Sequence, residues 1–136
     1  MLQRIQTVWL LLASACAFLG LQFPFYTGTN KDLIPSYVLK GTETVPLILT
    51  TAAVGIMALV CIFLYHNRKL QLRITLLCIL FEAILLFLYY AKVKEFTGGT
   101  FALSALLQGC VVFFLFLAAR GINHDNKIIR ESNRLR

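Results

Sequence analysis

Four long apolar runs separated by short polar stretches dominate the chain. They extend from about Thr7 to Phe23, Val45 to Tyr65, Ile74 to Ala91 and Thr100 to Ala119. Each is close to the ~20 apolar residues that a helix needs to cross a bilayer. Strands of a membrane barrel would need only about ten residues of alternating polarity, so the runs predict helices. Pro24 ends the first run, and Pro46 sits in the first turn of the second, where a missing N–H costs little. The segment from Phe25 to Thr44 holds Gly28, Pro35 and Gly41 and reads as the longest loop. Within it, Asp32 to Leu39 is apolar enough to lie on the membrane surface. His66 to Arg73 reads as a short basic loop, and Lys92 to Gly98 as a tight turn. Short loops make consecutive helices antiparallel neighbours. The predicted fold is an all-α membrane protein, an up-down bundle of four transmembrane helices followed by a polar tail from Arg120 to Arg136.

Composition agrees with that picture. Of 136 residues, 59% are hydrophobic and 14% charged, too little charge for a soluble domain of this size. The spans leave no room for a second domain. Arg4 before an apolar run resembles a signal peptide, and Ala13-Ser14-Ala15-Cys16 loosely resembles a lipoprotein cleavage box. Such boxes usually carry Leu where Ala13 stands, so the segment is read as a retained first helix.

Net charge is +7. The basic residues lie between and after the apolar runs, which is a membrane pattern. Nine Lys and Arg residues fall on one side: Arg4, Arg68, Lys69, Arg73, Arg120, Lys127, Arg130, Arg134 and Arg136. Four fall on the other: Lys31, Lys40, Lys92 and Lys94. The richer side is expected in the cytoplasm, with both chain ends. Trp9, Tyr26, Tyr37, Tyr65, Tyr89 and Tyr90 fall near span ends, as interfacial aromatic belts do.

Glu82 is the ionisable residue deep inside a span, about nine residues and ~13 Å from its basic end. A carboxylate there must face the bundle or a partner. Gln108 lies at similar depth in the fourth run and is its natural partner, with Ser104 one turn away and Ser14 at comparable depth. The reading favoured is a protonated Glu82 hydrogen-bonded to Gln108 and holding helices together. A proton or cation relay is the alternative. One carboxylate in unbroken spans makes a poor transport pathway. Ala13, Ala17 and Gly20 in the first run, and Thr51 and Gly55 in the second, allow close helix contact.

The tail has helical order. Lys127, Arg130 and Arg134 share one face, Ile128 and Leu135 another, and Asn123 can cap. This predicts a short basic amphipathic helix on the inner leaflet. Cys16, Cys61, Cys78 and Cys110 lie inside apolar runs without ligand spacing and read as packing residues. His66 and His124 stand alone at span exits. No metal site, cofactor site, phosphate loop or catalytic constellation is expected, so the chain is not read as an enzyme.

Three stretches carry a family resemblance. Met1 to Ala13 (MLQRIQTVWLLLA), Asn67 to Arg73 (NRKLQLR) and the closing Ala119-Arg120-Gly121-Ile122 through Ile129 to Arg136 resemble the domain of unknown function 4293 family. Family members commonly carry Asp where Asn133 stands. The resemblance implies a four-span inner-membrane protein of Bacteroidota, with no assigned activity. All three stretches lie at the predicted cytoplasmic rim.

The leading expectation is therefore a non-enzymatic accessory subunit of a larger bacterial inner-membrane complex, such as a protein-export translocon or a respiratory complex. The candidate contact residues are Arg4, Arg68, Lys69, Arg73, Lys127, Arg130, Arg134 and Arg136. Other integral membrane proteins, anionic lipids and an acidic cytoplasmic partner are the expected ligands of that rim. RNA-rich partners are allowed by charge but not indicated, and DNA is not expected. A small transporter or ion-conducting homo-oligomer built around Glu82 is the alternative, and a lipid- or quinone-binding scaffold a weaker third.

Overall fold

The computed structural model describes residues 2–30, 37–40, 42, 44–64, 66–102 and 104–135. Four helices among them are long and apolar enough to cross a membrane: α1 (Leu2–Gln22), α2 (Val45–Phe63), α3 (Arg68–Val93) and α4 (Ser104–Arg134). Only 28–33% of each apolar window is buried within the fold. Many of the others, including Leu11, Leu49, Leu80 and Phe116, are exposed and need an apolar solvent. The chain is a multi-pass membrane protein.

The helices close a ring in which α1 and α3 each pack against α2 and α4. Small residues bring the backbones together. Ala13, Ala17, Val54, Ala58 and Ala118 are fully or almost fully buried, alongside Leu10, Val111 and Leu115. Gly55 leaves room for the Phe18 ring, which would lie 2.7 Å from an added Cβ. Ser14 of α1 donates to the Gly55 carbonyl at 3.3 Å. The small residues picked out in the first two runs thus serve contacts within this chain.

Four expectations need correcting. The fold is not all-α: a three-stranded antiparallel sheet, in the order β2-β1-β3, is built from β1 (Pro24–Asn30), β2 (Tyr37–Lys40) and β3 (Phe96–Phe101). The long loop therefore supplies β1 and β2, and the turn expected after α3 is confined to Lys94 and Glu95, with β3 starting at Phe96. The expected surface-lying stretch at Asp32 to Leu39 falls largely outside the described residues, and its described end belongs to β2. Second, the fourth helix begins at Ser104, because Thr100 and Phe101 pair with Thr27 and Tyr26 of the sheet. Third, the basic stretch Arg68 to Arg73 is not a loop but the first turns of α3. Fourth, the tail is no separate helix capped by Asn123. Helix α4 runs unbroken through Gly121 to Arg134, and Gly121 is filled from outside by the Gln6 side chain.

Strand chemistry explains the sheet. Phe96-Thr97-Gly98-Gly99-Thr100-Phe101 and Pro24-Phe25-Tyr26-Thr27-Gly28-Thr29 are rich in aromatic and β-branched residues. Pro24 cannot continue α1 and instead opens β1. Phe25 stacks on Tyr89 at 4.0 Å between ring centroids, while Tyr26 meets Phe96 and Phe101 edge-on. Phe25, Tyr26 and Tyr89, with Leu39, Leu47 and Leu85, form a core that fastens the sheet to one end of the bundle, and Phe96 packs on it. Because β1 follows α1, β2 precedes α2 and β3 joins α3 to α4, the sheet gathers one end of every helix.

The central pairing of Gly28 with Gly99 is a close backbone approach. A Cβ at Gly28 would lie 2.7 Å from Gly99 Cα and run into the Gly98 carbonyl, whereas a Cβ at Gly98 would meet nothing within 4 Å. Gly28→Ala should therefore destabilise the protein by about 1–3 kcal/mol in detergent unfolding experiments, the usual range for overpacking. Gly98→Ala should change the same curve by less than about 0.5 kcal/mol, as exposed substitutions do.

Candidate functional site

Helix α3 buries Gln71, Thr75, Cys78, Glu82, Leu85 and Tyr89, a single stripe at three- and four-residue spacing. Its polar members behave differently along the stripe. Gln71 Nε2 donates to the Cys61 carbonyl at 2.9 Å, a second donor to a carbonyl that also accepts the Leu64 N–H at the end of α2. The Thr75 hydroxyl donates to the Gln71 carbonyl at 2.8 Å. At the same end of the bundle, Gln6 Nε2 of α1 donates to Asp125 Oδ2 of α4, and both side chains are buried. These contacts tie α2 to α3 and α1 to α4 away from the sheet.

Glu82 and Gln108 are both buried, as their depth requires. The hydrogen bond expected between them is not formed: both carboxylate oxygens of Glu82 and both amide atoms of Gln108 are without a partner. Gln108 instead points at α1, where Gly20 leaves space that its Nε2 fills. Ser14 is committed to Gly55, and the Ser104 side chain lies outside the described residues. The Tyr89 hydroxyl, two turns from Glu82 on the same stripe, is a fifth buried polar atom with no partner.

The second feature is a basic groove at the end of the bundle opposite the sheet. The first turn of α3 and the far half of α4 form its walls. An open space of about 1040 Å³ is lined by Lys69, Arg120, His124, Lys127 and Arg130, with Asn123, Asn126 and Asn133 between them. An adjoining recess of about 740 Å³ is lined by His66, Asn67, Arg68, Lys69 and Arg73. Lys69, Asn126 and Ile129 line both spaces. Among the described lining residues none is acidic. Leu117 and Leu70 form apolar patches in the walls.

Five of the eight basic residues expected at a rim, Arg68, Lys69, Arg73, Lys127 and Arg130, line these two spaces. Arg134 stands beyond them on the exposed last turn of α4. Arg136 and the side chain of Arg4 lie outside the described residues. Arg120, His66, His124 and the asparagines are additions that sequence reasoning did not place in a site. Arg120, His66, Asn67, Asn123 and His124 share one signal, a position within a few residues of a span exit. Of the cysteines, Cys61 and Cys78 are buried, Cys16 is half-buried and Cys110 is exposed. No group of three or more His, Cys, Asp or Glu side chains capable of holding a metal ion occurs among the described residues.

The family model described as Domain of unknown function (DUF4293) matches residues 2–135. The chain belongs to this family. The match covers both walls of the groove and every element of the sheet. No curated protein and no solved structure matches the chain.

The contrast between paired and unpaired buried groups sets a stability test. Glu82→Met removes two unpartnered oxygens at similar volume, so thermal unfolding in detergent should be unchanged or shifted upward. Gln6→Ala leaves Asp125 buried without its donor and should destabilise by about 1–3 kcal/mol.

Proposed function

We propose that this protein is a non-enzymatic accessory subunit of a larger bacterial inner-membrane complex and docks through its basic end. In this reading the four helices run up and down across the bilayer, with both chain ends in the cytoplasm. The observation that carries it is the acid-free groove, in which six Lys and Arg side chains from α3 and α4 line two adjoining spaces. Lys and Arg gather at cytoplasmic span ends, which gives the groove its side of the membrane. Past Arg130 the last turn of α4 stays exposed and ends at Arg134, a handle for an acidic surface of a neighbouring subunit. Its helical order predisposes it to such a contact, because little conformational entropy remains to be lost. A protein-export translocon and a respiratory complex are both suitable hosts.

A second reading has one observation in its favour. Five buried, unpartnered polar atoms on Glu82, Gln108 and Tyr89 line the bundle interior, as a polar pathway would require. That reading makes the protein a small ion-conducting homo-oligomer, and it requires a proton- or cation-dependent flux in liposomes that Glu82→Gln abolishes.

Purification in a mild detergent followed by mass spectrometry separates the two. The accessory-subunit reading expects the same membrane partner in repeated preparations, and its loss when Lys127, Arg130 and Arg134 are replaced together by Glu. A lone monomer or homo-oligomer with no reproducible partner would overturn it.

A further inference from the structure

The groove has more chemistry than a docking rim requires, and its shape specifies a ligand. Its cations are not spread over a face but sorted into two adjoining spaces. Arg68 and Arg73 stand in one, Arg120, Lys127 and Arg130 in the other, and Lys69 lines both. Both spaces are open to the outside, so a headgroup could enter them from the membrane side. Arginine forks and lysine ammonium groups present donors only to an entering group, the array that phosphate oxygens accept. Nothing acidic among the described lining residues competes for them.

Depth decides the source of the phosphate. Arg73 and Arg120 sit where the apolar stretches of α3 and α4 end, the level of the headgroups in a bilayer crossed by these helices. Leu70 and Leu117 carry the groove walls toward outward-facing Leu77, Phe113 and Phe116, a track for acyl chains. A free phosphate would use the donors and leave this apolar continuation unused. A nucleic acid would need cations along a surface standing clear of the bilayer.

We infer that the groove between α3 and α4 binds an anionic phospholipid with two phosphates, one in each space, bridged across Lys69. This assignment rests on the proposed reading only in placing the groove at a membrane leaflet. It does not require the partner complex. Bound there, the lipid would neutralise the inner part of the rim and leave the outer end of α4, with Arg134, free for protein contact.

The full chain in detergent should be offered cardiolipin, phosphatidylglycerol, phosphatidylcholine or inorganic pyrophosphate in turn and examined by native mass spectrometry. One cardiolipin per protein should be retained, about fivefold more tightly than phosphatidylglycerol, with no retention of phosphatidylcholine or pyrophosphate, since each cation near an anionic surface contributes about one kcal/mol. Replacing Arg68 and Arg73 by Gln, or Lys127 and Arg130 by Gln, should each reduce cardiolipin binding to the phosphatidylglycerol level. These side chains line open spaces, and an unchanged helical circular dichroism spectrum confirms that the variants fold. Equal retention of cardiolipin and phosphatidylcholine overturns the assignment, as does full cardiolipin binding by both variants. Pyrophosphate binding as tight as cardiolipin's would make the site a soluble-anion site and overturn it too. So would an acidic protein that is lost with these substitutions while no lipid preference exists. Lipid retention without any reproducible protein partner would instead defeat the accessory-subunit reading and leave the lipid site standing.

Discussion

Hydrocarbon offers no hydrogen bonds, and the whole structure follows from that constraint. Backbone N–H and C=O groups inside a bilayer must find partners within their own segment, so the apolar runs have to be helices. With only about a third of each run fully buried, apolar burial alone cannot hold the ring together. Close contact at Ala13, Ala17 and Gly55 supplies dispersion attraction, and a few inward hydrogen bonds fix which helix meets which. Gln71 to Cys61, Gln6 to Asp125 and Ser14 to Gly55 all join different helices. The same constraint keeps irregular and extended backbone to the ends of the bundle. The exposed strand β3 is rich in Thr and Gly and could not survive in lipid with its outer edge unpaired.

The two ends of the bundle are built by opposite means. One is closed by a sheet, glycine-centred and ringed by Phe25, Tyr26, Phe96 and Phe101. The other is left open, with α4 extending past its neighbours and cations facing a groove. Between them lie Glu82, Gln108 and Tyr89, whose polar atoms find nothing to bind. Buried polar groups without partners are uncommon in native proteins, because each one costs stability.

Much of this was legible in the sequence, and the reasons for the misses are physical. The four spans are strong signals because 20 apolar residues in a row have few alternative uses. Burial of Glu82 and Gln108 followed from depth alone. Their failure to pair did not, because it depends on which way each helix is turned, and Gly20 draws Gln108 toward α1. The sheet was missed because Thr97, Gly98 and Gly99 show no apolar alternation, and glycine with polar neighbours reads as a turn. Its strands are set by pairing across the chain, Thr27 with Thr100 and Val38, which no local window contains. The rim was visible as charge, but the groove was not. It needed α4 to remain helical beyond Gly121, and the pocket filled by Gln6 that permits this is a tertiary contact.

The account depends most on the sheet and the basic groove lying on opposite sides of one membrane. Single cysteines at Gly98 and at Asn133, tested in sealed vesicles of known orientation with a membrane-impermeant thiol reagent, measure that directly. The account predicts that the cysteine at 133 reacts only from the cytoplasmic face and the one at 98 only from the opposite face. Labelling of both positions from the same side would contradict it.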